Sequence, residues 1–552
     1  MNILGVNCVS HDASAALITD GTLDSAVEEE RYNRKKHTNE FPEQSIDFCL
    51  SHAGLDDVDY IGVPLRPDLS MSRTFERLLS DVRGSNESLD EMIRYFPNLF
   101  ANVNRLAYRF KGELVFTGHH EAHLASAFYP SPFDKAAILS IDGSGDDLTT
   151  VFGIGNNNKI EIIDQIHMPN SIGYLYMAIT QFLGFKPNSD EGKVMGLAPY
   201  GDRGTSIDFD TLARINDNGF EVNFRYFRYP RGFSQMYEDK IRELLGEPRQ
   251  PKSKIEKIHE NIAYALQAKT EEIVINMLNW LKQRTGCENV CIAGGVGLNS
   301  VLNGKVTDMT GFKHLYVPPA PSDTGTSIGS AMWINHMLLG NPRVKSFHSP
   351  YLGPEYSNEE IKAELDKSGI KYKWIDQPEK VAADLISREY IIGWFQGRTE
   401  IGARALGNRS ILSDPRDPDM KDKLNAKVKH REAFRPFAPS IIAEYQGEYF
   451  EKGDPTHYMS KVFQIRPEKK HLIPSVVHVD GSGRLQTVTR ELNPLYHSLI
   501  REFYRLTGVP VVINTSFNDN GEPIVNNPEH AINCVRNTGI DALIIGNYMY
   551  KK

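Results

Sequence analysis

The same strand pattern occurs twice in the sequence, and this repeat is the strongest constraint on its fold. Residues 2–18 form two apolar runs separated by the turn His11-Asp12, and Asp20-Gly21 connects the second run to a third. Asp-Gly between alternating apolar runs is a strong signal of an antiparallel hairpin. A similar pair of runs covers residues 136–154, again with an aspartate, Asp142, at the first turn. The sequence therefore predicts an α/β lobe that is duplicated.

A long helix and a glycine-rich loop follow the second copy of this pattern. Apolar residues recur at close to helical period from residue 253 to residue 285, and Gly286 ends the run. A short strand at 289–293 then leads into Gly294-Gly295-Val296-Gly297-Leu298-Asn299. Glycines between a strand and a helix allow the backbone to approach a phosphate closely. Without further support, this loop is weak evidence for nucleotide binding.

A turn-rich segment divides the chain. With 552 residues the chain is about three to four times as long as a typical domain of roughly 150 residues, so at least two hydrophobic cores are expected. Glycine, proline and serine cluster between residues 340 and 358. We therefore predict two domains, residues 1–345 and residues 346–552. The second contains enough helical and strand patterns for one α/β domain.

Charge and cysteine content restrict the partners and the compartment. The chain has 62 Lys and Arg against 71 Asp and Glu, a formal net charge of −9. This charge disfavours nucleic acid as a partner unless a local basic patch compensates. The five cysteines form no CxxC pair, which argues against a disulfide framework and against a cysteine zinc site. No apolar window approaches 18 residues and no export signal is visible, so we expect a cytoplasmic protein without a membrane partner.

Two histidines at helical spacing form a candidate metal site. His119 and His123 are four residues apart, and on a helix both imidazoles would project from one face. Such pairs also occur in helices that bind no metal, so a structural role stays open. Asp142, after a predicted strand, and Asp323 could supply oxygen ligands. Two histidines with carboxylates suit Fe²⁺, Mn²⁺ or Zn²⁺, and the sequence does not choose among them.

The first predicted turn carries His11 and Asp12. An aspartate after a strand often hydrogen-bonds to its own backbone, so ordinary turn chemistry is the simpler interpretation. In the functional interpretation His11 is a general base, because its unperturbed pKa of about 6.5 lies near neutral pH. The residues alone leave both interpretations open.

The C-terminal part is rich in side chains that bind anions. Arginine forks match phosphate oxygens, and here the basic residues alternate with apolar residues that favour burial. An inward-facing cluster is therefore as reasonable as an ordinary charged surface. Asn514, Ser516 and Asn518 follow a predicted strand, where open α/β sheets bind ligands, although a polar turn has the same composition. The basic residues are Arg398, Arg404, Arg409, Lys429, Arg431, Arg435 and Arg484.

Short motifs are spread along the whole chain in one order. They are His11-Asp12-Ala13-Ser14-Ala15, Glu29-Glu30-Arg31, residues 119–123, residues 140–143, residues 171–174, residues 191–201, Gly294-Gly295-Val296 with Asn299, residues 404–410, residues 434–439 and residues 514–518. Together they resemble the NodU/CmcH-type O-carbamoyltransferase family.

The resemblance implies an α/β protein made of two different domains. The N-terminal one would be a duplicated actin/sugar-kinase-like domain, similar to the universal tRNA threonylcarbamoyl transferase. The C-terminal one would be similar to the YrdC-type threonylcarbamoyl-adenylate synthases. The duplicated strand pattern and the boundary near residue 345 come from the sequence separately, and they agree with this implied fold.

The resemblance also implies a two-step carbamoyl transfer. Carbamoyl phosphate and ATP, with Mg²⁺, would give carbamoyl adenylate and pyrophosphate in the C-terminal domain. The carbamoyl group would then pass to a hydroxyl group of a small-molecule acceptor, a secondary metabolite or a sugar, in the N-terminal domain. There His11, beside Asp12, would act as the base. The family's metal, Fe²⁺ or another divalent ion such as Mn²⁺ or Zn²⁺, would be held by His119, His123, Asp142 and Asp323.

The family's nucleotide contacts carry over onto both halves of the chain. In YrdC-type proteins a Lys-x-Arg pair and a Ser-x-Asn pair face the nucleotide, and Lys429-x-Arg431 and Ser516-x-Asn518 look like their counterparts. Arg435 is a competing choice for the second cation, and Lys429 and Arg435 are also the implied catalytic residues of adenylate formation. The implied nucleotide-binding residues are Lys193, Gly294, Gly295, Val296, Asn299, Arg404, Lys429, Arg431, Arg435, Arg484, Asn514, Ser516 and Asn518.

Three other functions stay open. A tRNA-modifying enzyme of the threonylcarbamoyl type uses the same pair of folds, although the negative net charge disfavours it. A non-catalytic actin-like nucleotide-binding module would not need Lys429, and a sugar kinase would leave the C-terminal 200 residues or so unexplained. The sequence does not identify the acceptor; residues 66–108, which match no motif, are the candidate region for selecting it. A homodimer is a possible assembly.

Overall fold

The chain folds into two compact units. The computed structural model describes residues 1–72, 85–229, 232–343 and 349–552. The first unit comprises Met1–Glu29 and His37–His348, and the second comprises Glu30–Lys36 and Ser349–Lys552. The predicted boundary lay after residue 345, and the prediction did not include the transfer of residues 30–36 to the second unit.

Two five-stranded sheets with the same topology form the first unit. The strands of one are β1 (Asn2–Asn7), β2 (Ser14–Thr19), β3 (Thr22–Glu28), β4 (Tyr60–Pro64) and β5 (Glu113–Thr117). Those of the other are β6 (Lys135–Gly145), β7 (Leu148–Asn156), β8 (Lys159–His167), β11 (Asn289–Ala293) and β12 (His314–Tyr316), while β9 (Ala213–Ile215) and β10 (Phe220–Val222) form a separate ribbon. The strand orders are β3-β2-β1-β4-β5 and β8-β7-β6-β11-β12. Each sheet combines three antiparallel strands with two further strands parallel to the first, which confirms the predicted duplication.

Besides a helical segment that begins at residue 67, nine α-helices of the first unit have bounds within the described residues. They are α2 (Glu43–Ala53), α3 (Ser85–Arg109), α4 (His119–Phe128), α5 (Ile172–Phe182), α6 (Glu191–Leu197), α7 (Arg242–Leu245), α8 (Lys257–Thr285), α9 (Ser300–Met309) and α10 (Thr326–Trp333). Helix α8 is the predicted long helix, and Gly286 ends it in the left-handed conformation with φ +63°. In the ranges that the structure covers, no helix is both long and apolar enough to cross a bilayer.

Close backbone contacts bring helix α10 against strand β1 and helix α4. A Cβ atom on Gly5 of β1 would lie 1.8 Å from the carbonyl oxygen of Ser327 in α10. A Cβ atom on Gly329 of α10 would lie 1.8 Å from the carbonyl oxygen of Ala122 in α4. Only glycine fits at both positions. These contacts fix the beginning of α10, which follows Asp323, beside α4.

A mixed nine-stranded sheet forms the second unit. Its strands are β13 (Tyr372–Trp374), β14 (Ile392–Phe395), β15 (Arg409–Ser413), β16 (Ala438–Ile442), β17 (Lys461–Gln464), β18 (Ser482–Val488), β19 (Val511–Ser516), β20 (Ala542–Ile545) and β21 (Tyr548–Lys551). The order is β13-β21-β20-β14-β15-β19-β16-β18-β17. The helices are α1 (Glu30–Asn33), α11 (Asn358–Ser368), α12 (Pro378–Ser387), α13 (Met420–Leu424), α14 (Gln446–Tyr449), α15 (Pro494–Thr507) and α16 (Pro528–Asn537). The unit is α/β, as predicted.

Arginines anchor the N-terminal segment 30–36 in the second unit. The buried Arg31 donates through Nη2 to the carbonyl oxygen of Gly402 at 2.7 Å. Arg34 donates to the carbonyl oxygens of Ile524 and Pro523, also at 2.7 Å. The segment is thus held by charge-assisted hydrogen bonds to backbone acceptors, which are stronger than neutral ones.

Candidate functional site

Helix α4 brings two imidazoles to one point. His119 and His123 occupy its first and fifth positions, so the i, i+4 spacing puts both side chains on the same face. Their Nε2 atoms lie 3.1 Å apart, and each lies 3.1 Å from Oδ2 of Asp142 in β6. His119 is 5% exposed and His123 is fully buried. Three of the four predicted metal ligands therefore meet in the first unit.

Asp323 completes the set of four. Its Oδ1 atom lies 3.6 Å from Nε2 of both His119 and His123, and it is buried without a hydrogen-bond partner in the described part of the chain. Such an oxygen is costly unless a cation or a proton satisfies it. The four ligand atoms all lie within 4.8 Å of one another. Two imidazoles and two carboxylates fit a divalent metal such as Fe²⁺, Mn²⁺ or Zn²⁺.

The charges of this cluster also favour a cation. Burial opposes a charge on Asp142, but hydrogen bonds from the two histidines hold its pKa well below the usual range. Burial lowers the pKa of His123, but Asp142 and Asp323 outweigh burial and raise that pKa to about 9. Without a metal, the carboxylates therefore keep a proton on an imidazole. Because a metal must displace that proton, the metal affinity of the site should rise with pH.

The glycine-rich loop after β11 orients Asp142. Oδ1 of Asp142 accepts the backbone N–H groups of Gly143 at 2.8 Å and Gly295 at 3.1 Å, which leaves Oδ2 for the histidines. Gly294 has φ +85°, and a Cβ atom there would lie 2.1 Å from the carbonyl oxygen of Ile141. The loop that the sequence associated with nucleotide thus also holds a candidate metal ligand in position.

Asp146, which the sequence analysis missed, caps the helix that carries the histidines. Its Oδ2 accepts the backbone N–H of His119 at 2.7 Å, and its Oδ1 accepts the backbone N–H of Arg66 at 2.8 Å. A carboxylate at this position satisfies an otherwise unpaired N–H and interacts favourably with the helix dipole. The sequence signal was a second aspartate four residues after Asp142. Residues 73–84 of the candidate acceptor region lie outside the described residues.

His11 lies beside the four-ligand cluster. Its Nε2 is 3.8 Å from Oδ2 of Asp323, and its Nδ1 is 3.1 Å from Oδ2 of Asp12. Burial lowers the pKa of His11, but the carboxylates of Asp323 and Asp12 outweigh burial and raise it to about 10. A cation between the ligands would offset these charges and favour the neutral imidazole that a base requires.

Asn7 joins the turn of His11 to the segment that carries Asp323. The side chain is fully buried at the end of β1. Its Nδ2 lies within 3.1–3.2 Å of three carbonyl oxygens, those of His11, Asp12 and Asp323. A polar residue that closes an apolar strand was the only sequence signal for this role.

Lys193 and Asn299 have partners within the first unit. Nζ of Lys193 lies 3.0 Å from Oδ2 of Asp190. Asn299 exchanges hydrogen bonds of 3.0 and 3.1 Å with Gln267 and caps α9. Val296 lies in the turn that follows β11. Nucleotide contact by these residues stays a prediction.

Lys429 is at the centre of a polar site in the second unit. Its buried Nζ donates to the carbonyl oxygen of Ser516 at 2.6 Å and to Oδ1 of Asn518 at 2.7 Å. The predicted lysine and the Ser-x-Asn pair therefore lie together. Burial, together with the charges of Arg431 and Arg435, lowers the pKa of Lys429 to about 7.

Arginines surround this lysine closely enough to perturb one another. Burial lowers the pKa of Arg404 to about 10, with a further contribution from Arg435, and lowers that of Arg431 to about 9. Burial and three neighbouring arginines hold the pKa of Arg484 well below its usual range. Among the described residues, Arg404 and Arg484 have neither a hydrogen-bond acceptor nor an ion-pair partner. Guanidinium groups in this situation are well suited to bind a polyphosphate.

Buried polar groups hold the loop that carries Arg404. Oε1 of Glu400 accepts the backbone N–H groups of Leu406 and Asn408, both at 2.8 Å. Nδ2 of Asn514 donates to the carbonyl oxygen of Ala405 at 3.2 Å, and Asn514 is 1% exposed. In the structure, Asn514 therefore supports the loop from the interior.

Two further arginines of this region bind backbone carbonyls. Arg398 donates to the carbonyl oxygens of Leu352 and Gly353 at 2.6 and 3.1 Å. The fully buried Arg409 donates to that of Gln396 at 2.5 Å. Hydrogen bonds from these two arginines to backbone carbonyl oxygens hold the neighbouring loops in place.

Two family models match this chain. The model described as the carbamoyltransferase N-terminus matches residues 2–332, and the model described as the carbamoyltransferase C-terminus matches residues 383–552. The first of these matches alone covers more than half of the chain. The first matched range lies in the first unit except for residues 30–36, and the second lies entirely in the second unit.

Curated proteins from several organisms are similar to the chain over almost its whole length. An uncharacterized protein of Synechocystis is 40% identical over 100% of this chain and 97% of its own length. Nodulation protein NolNO of Sinorhizobium fredii is 37% identical over 99% of this chain and 80% of its own. Nodulation protein U of Rhizobium tropici is 29% identical over 94% of this chain and 91% of its own length.

Similarity to solved structures is slight. T. kodakarensis HypF is 13% identical with a TM-score of 0.35, over 63% of this chain and 49% of that chain. ROK hexokinase from Thermus thermophilus is 14% identical with a TM-score of 0.30, over 60% of this chain and 98% of that chain. At these TM-scores neither similarity supports an inference about fold or function.

Proposed function

Because this chain belongs to the carbamoyltransferase family, we propose that it transfers the carbamoyl group of carbamoyl phosphate to a hydroxyl group of a small molecule, with ATP as the activating substrate. The second unit, as a YrdC-like domain, activates the carbamoyl group. The first unit, as an actin/sugar-kinase-like domain, transfers it. The acceptor is a secondary metabolite or a sugar.

Activation takes place beside Lys429. Carbamoyl phosphate is hydrolysed to carbamate and phosphate, and the carbamate oxygen then attacks the α-phosphorus of ATP. Carbamoyl adenylate forms and pyrophosphate leaves. The step brings several phosphate charges together. The guanidinium groups of Arg404 and Arg484, which have no acceptor among the described residues, neutralise these charges. Mg²⁺ enters with ATP as part of the substrate.

The remaining predicted residues of the second unit position the reacting groups. Lys429 and Arg435 are the residues that we assign to catalysis of adenylate formation. Ser516 and Asn518 hold Nζ of Lys429 through three hydrogen bonds of 2.6–3.0 Å, two to backbone carbonyl oxygens and one to Oδ1 of Asn518. Arg431, whose guanidinium lies 4.2 Å above the Phe437 ring, contributes a further positive charge.

Transfer takes place beside His11. The acceptor hydroxyl gives its proton to Nε2 of His11 while its oxygen attacks the carbamoyl carbon. The bond from that carbon to the adenylate oxygen breaks, and AMP leaves. A divalent metal bound by His119, His123, Asp142 and Asp323 would supply Lewis-acid stabilisation of the developing negative charge. Asp12 holds the other ring nitrogen of His11 at 3.1 Å.

In the first unit, the nucleotide part of the adenylate lies against the glycine-rich loop. We assign its binding to Lys193, Gly294, Gly295, Val296 and Asn299. The absence of side chains at the two glycines permits close backbone approach.

The observation that carries this proposal is that one chain holds two different clusters of buried functional side chains. A buried four-ligand set lies in the first unit, and a cluster of buried, mutually repelling cations lies in the second. A metal-dependent transfer step requires the first, and a reaction between two phosphorylated substrates requires the second.

A direct test uses the full chain with ATP, Mg²⁺, Fe²⁺ and carbamoyl phosphate. A panel of methyl glycosides and hydroxylated metabolites serves as acceptors, and mass spectrometry detects a gain of one carbamoyl group. We expect carbamoylation of at least one acceptor only when both ATP and carbamoyl phosphate are present. Carbamoylation that continues without ATP would contradict the adenylate route.

A further inference from the structure

A third side chain extends the His11-Asp12 pair. Nδ1 of His37 lies 2.7 Å from Oδ1 of Asp12, while Nδ1 of His11 lies 3.1 Å from Oδ2 of the same carboxylate. Asp12 is therefore bracketed by two imidazoles, one on each oxygen.

The carboxylate determines which nitrogens carry hydrogen. Burial opposes its charge, but the hydrogen bonds with His11 and His37 hold the pKa of Asp12 well below the usual range. An ionised carboxylate only accepts hydrogen bonds, so both Nδ1 atoms that face it must donate. In neutral His11 the hydrogen is then on Nδ1, and the lone pair is on Nε2, the atom nearer to Asp323.

The backbone supports this arrangement at both ends. Asp12 and His37 both lie in the left-handed region, with φ +59° and +55°. The adjacent Ala13 N–H donates to the carbonyl oxygen of Thr38 at 3.0 Å, which holds the two segments together. Residues other than glycine pay about 1 kcal/mol or more for this conformation, so surrounding contacts must maintain it.

We propose that His37 is a positioning residue for carbamoyl transfer: by fixing the Asp12 carboxylate, it keeps Nδ1 of His11 engaged and Nε2 of His11 available to the acceptor hydroxyl. This inference rests on the proposed transfer reaction. The arrangement follows the general logic of a base that is oriented by a carboxylate, with a second donor orienting the carboxylate.

The test compares two substitutions of similar size at one position. His37→Leu removes the donor, whereas His37→Asn places an amide N–H close to where Nδ1 lies. We expect His37→Leu to lower kcat for carbamoylation about 10- to 100-fold. This is a part of the roughly 10²–10⁴-fold rate acceleration that a general base contributes. The acceptor KM should change little, and His37→Asn should recover most of the rate. The acceptor is the methyl glycoside that wild-type enzyme carbamoylates fastest.

A matched control is available in the same unit. His52 has similar exposure and lies 3.9 Å from Oδ2 of Asp24, so His52→Leu should leave the rate unchanged. Carbamoyl-phosphate-dependent exchange of pyrophosphate into ATP should be normal in all variants. A wild-type rate in His37→Leu, or equal losses in the Leu and Asn variants, would overturn the inference while leaving the proposed function intact. Absence of transfer by wild-type enzyme to every acceptor would overturn both.

Crystal structures of the two variants give a result that needs no acceptor. We expect the His11 ring to lose its contact with Asp12 in His37→Leu and to retain it in His37→Asn. An unchanged His11-Asp12 pair in His37→Leu would show that His37 does not position the base.

Discussion

Nε2 of His119 and Nε2 of His123 lie 3.1 Å apart, and both face one carboxylate oxygen of Asp142. The capped helix, the glycine-rich loop and the close packing of α10 hold these atoms in place. The ligands are therefore convergent in the folded chain itself, so metal binding requires little reorganisation. Preorganisation of this kind preserves binding free energy that ordering the ligands would otherwise consume.

Removing one imidazole of the metal site should impair carbamoyl transfer and leave adenylate formation intact. We expect His119→Ala to lose most of its bound metal and to lower the carbamoylation rate at least ~100-fold, because Lewis-acid stabilisation is lost. Metal analysis and mass spectrometry of the acceptor give the two readouts. The control is His167→Ala, because His167 pairs with Asp147 at 3.4 Å and is half exposed. Equal metal content in His119→Ala and wild type would contradict the ligand assignment.

Loss of the helix cap should weaken the metal site from a distance. In Asp146→Ala the N–H of His119 loses its acceptor, which should cost about 1 kcal/mol of stability. The freed helix end should also lower metal affinity about 10- to 100-fold, as for other residues that orient ligands. Urea unfolding and metal titration measure the two effects, with the exposed Asp217→Ala as control. If metal affinity stays unchanged while stability falls, Asp146 has only a structural role.

The buried cations around Lys429, which are Arg404, Arg431 and Arg484, should favour binding of phosphates but lower the stability of the folded chain. Arg484 has no acceptor among the described residues, so Arg484→Met should remove repulsion and raise Tm by about 2–4 °C. The same change should abolish adenylate formation. Pyrophosphate should raise Tm of the wild type by neutralising the cluster, and it should do so less in the variant. A variant that is less stable than wild type without ligands would contradict this assignment.

Lys461 should make stability rise with pH. Burial, with a smaller contribution from Lys452, lowers its pKa to about 8 from an ordinary value of 10.5. Between these pH values the unfolded chain binds more protons than the folded one, so the free energy of unfolding increases with pH there. Below about pH 8 both states are protonated, and the full penalty of burying the charge remains.

Lys461→Met should remove that penalty. We expect the variant to be more stable than wild type at pH 7 by up to about 3 kcal/mol, and the advantage to disappear as pH approaches 10.5. Urea unfolding at pH 7 and pH 9.5 measures it, with the exposed edge-strand Lys373→Met as control. An advantage that is the same at both pH values would show that the charge of Lys461 is not its source.

Local sequence patterns predicted the parts of the site that are local in the chain. The i, i+4 spacing of His119 and His123 and the duplicated hairpins depend on periodicity and short spacing. The roles of Lys429 and of the Ser-x-Asn pair came instead from the family resemblance. The topology confirms the duplication. These features are readable because helix and strand periods fix the direction of neighbouring side chains.

Other parts depend on contacts between distant segments. Asn7 reaches Asp323 across more than 300 residues, and His37 reaches Asp12 only because the chain returns from the second unit at that residue. Asn514, placed among the nucleotide contacts from its position after a strand, lies beneath the Arg404 loop. Neither composition nor spacing determines which buried polar groups meet, because tertiary packing makes that choice.

Exchange of labelled pyrophosphate into ATP tests the central claim most directly. The assay contains full-length enzyme, ATP and Mg²⁺, without an acceptor, in the presence or absence of carbamoyl phosphate. We predict label in ATP only when carbamoyl phosphate is present, at the same rate in wild type and in His119→Ala. No exchange in the wild type, or exchange that is independent of carbamoyl phosphate, would contradict activation of the carbamoyl group as an adenylate.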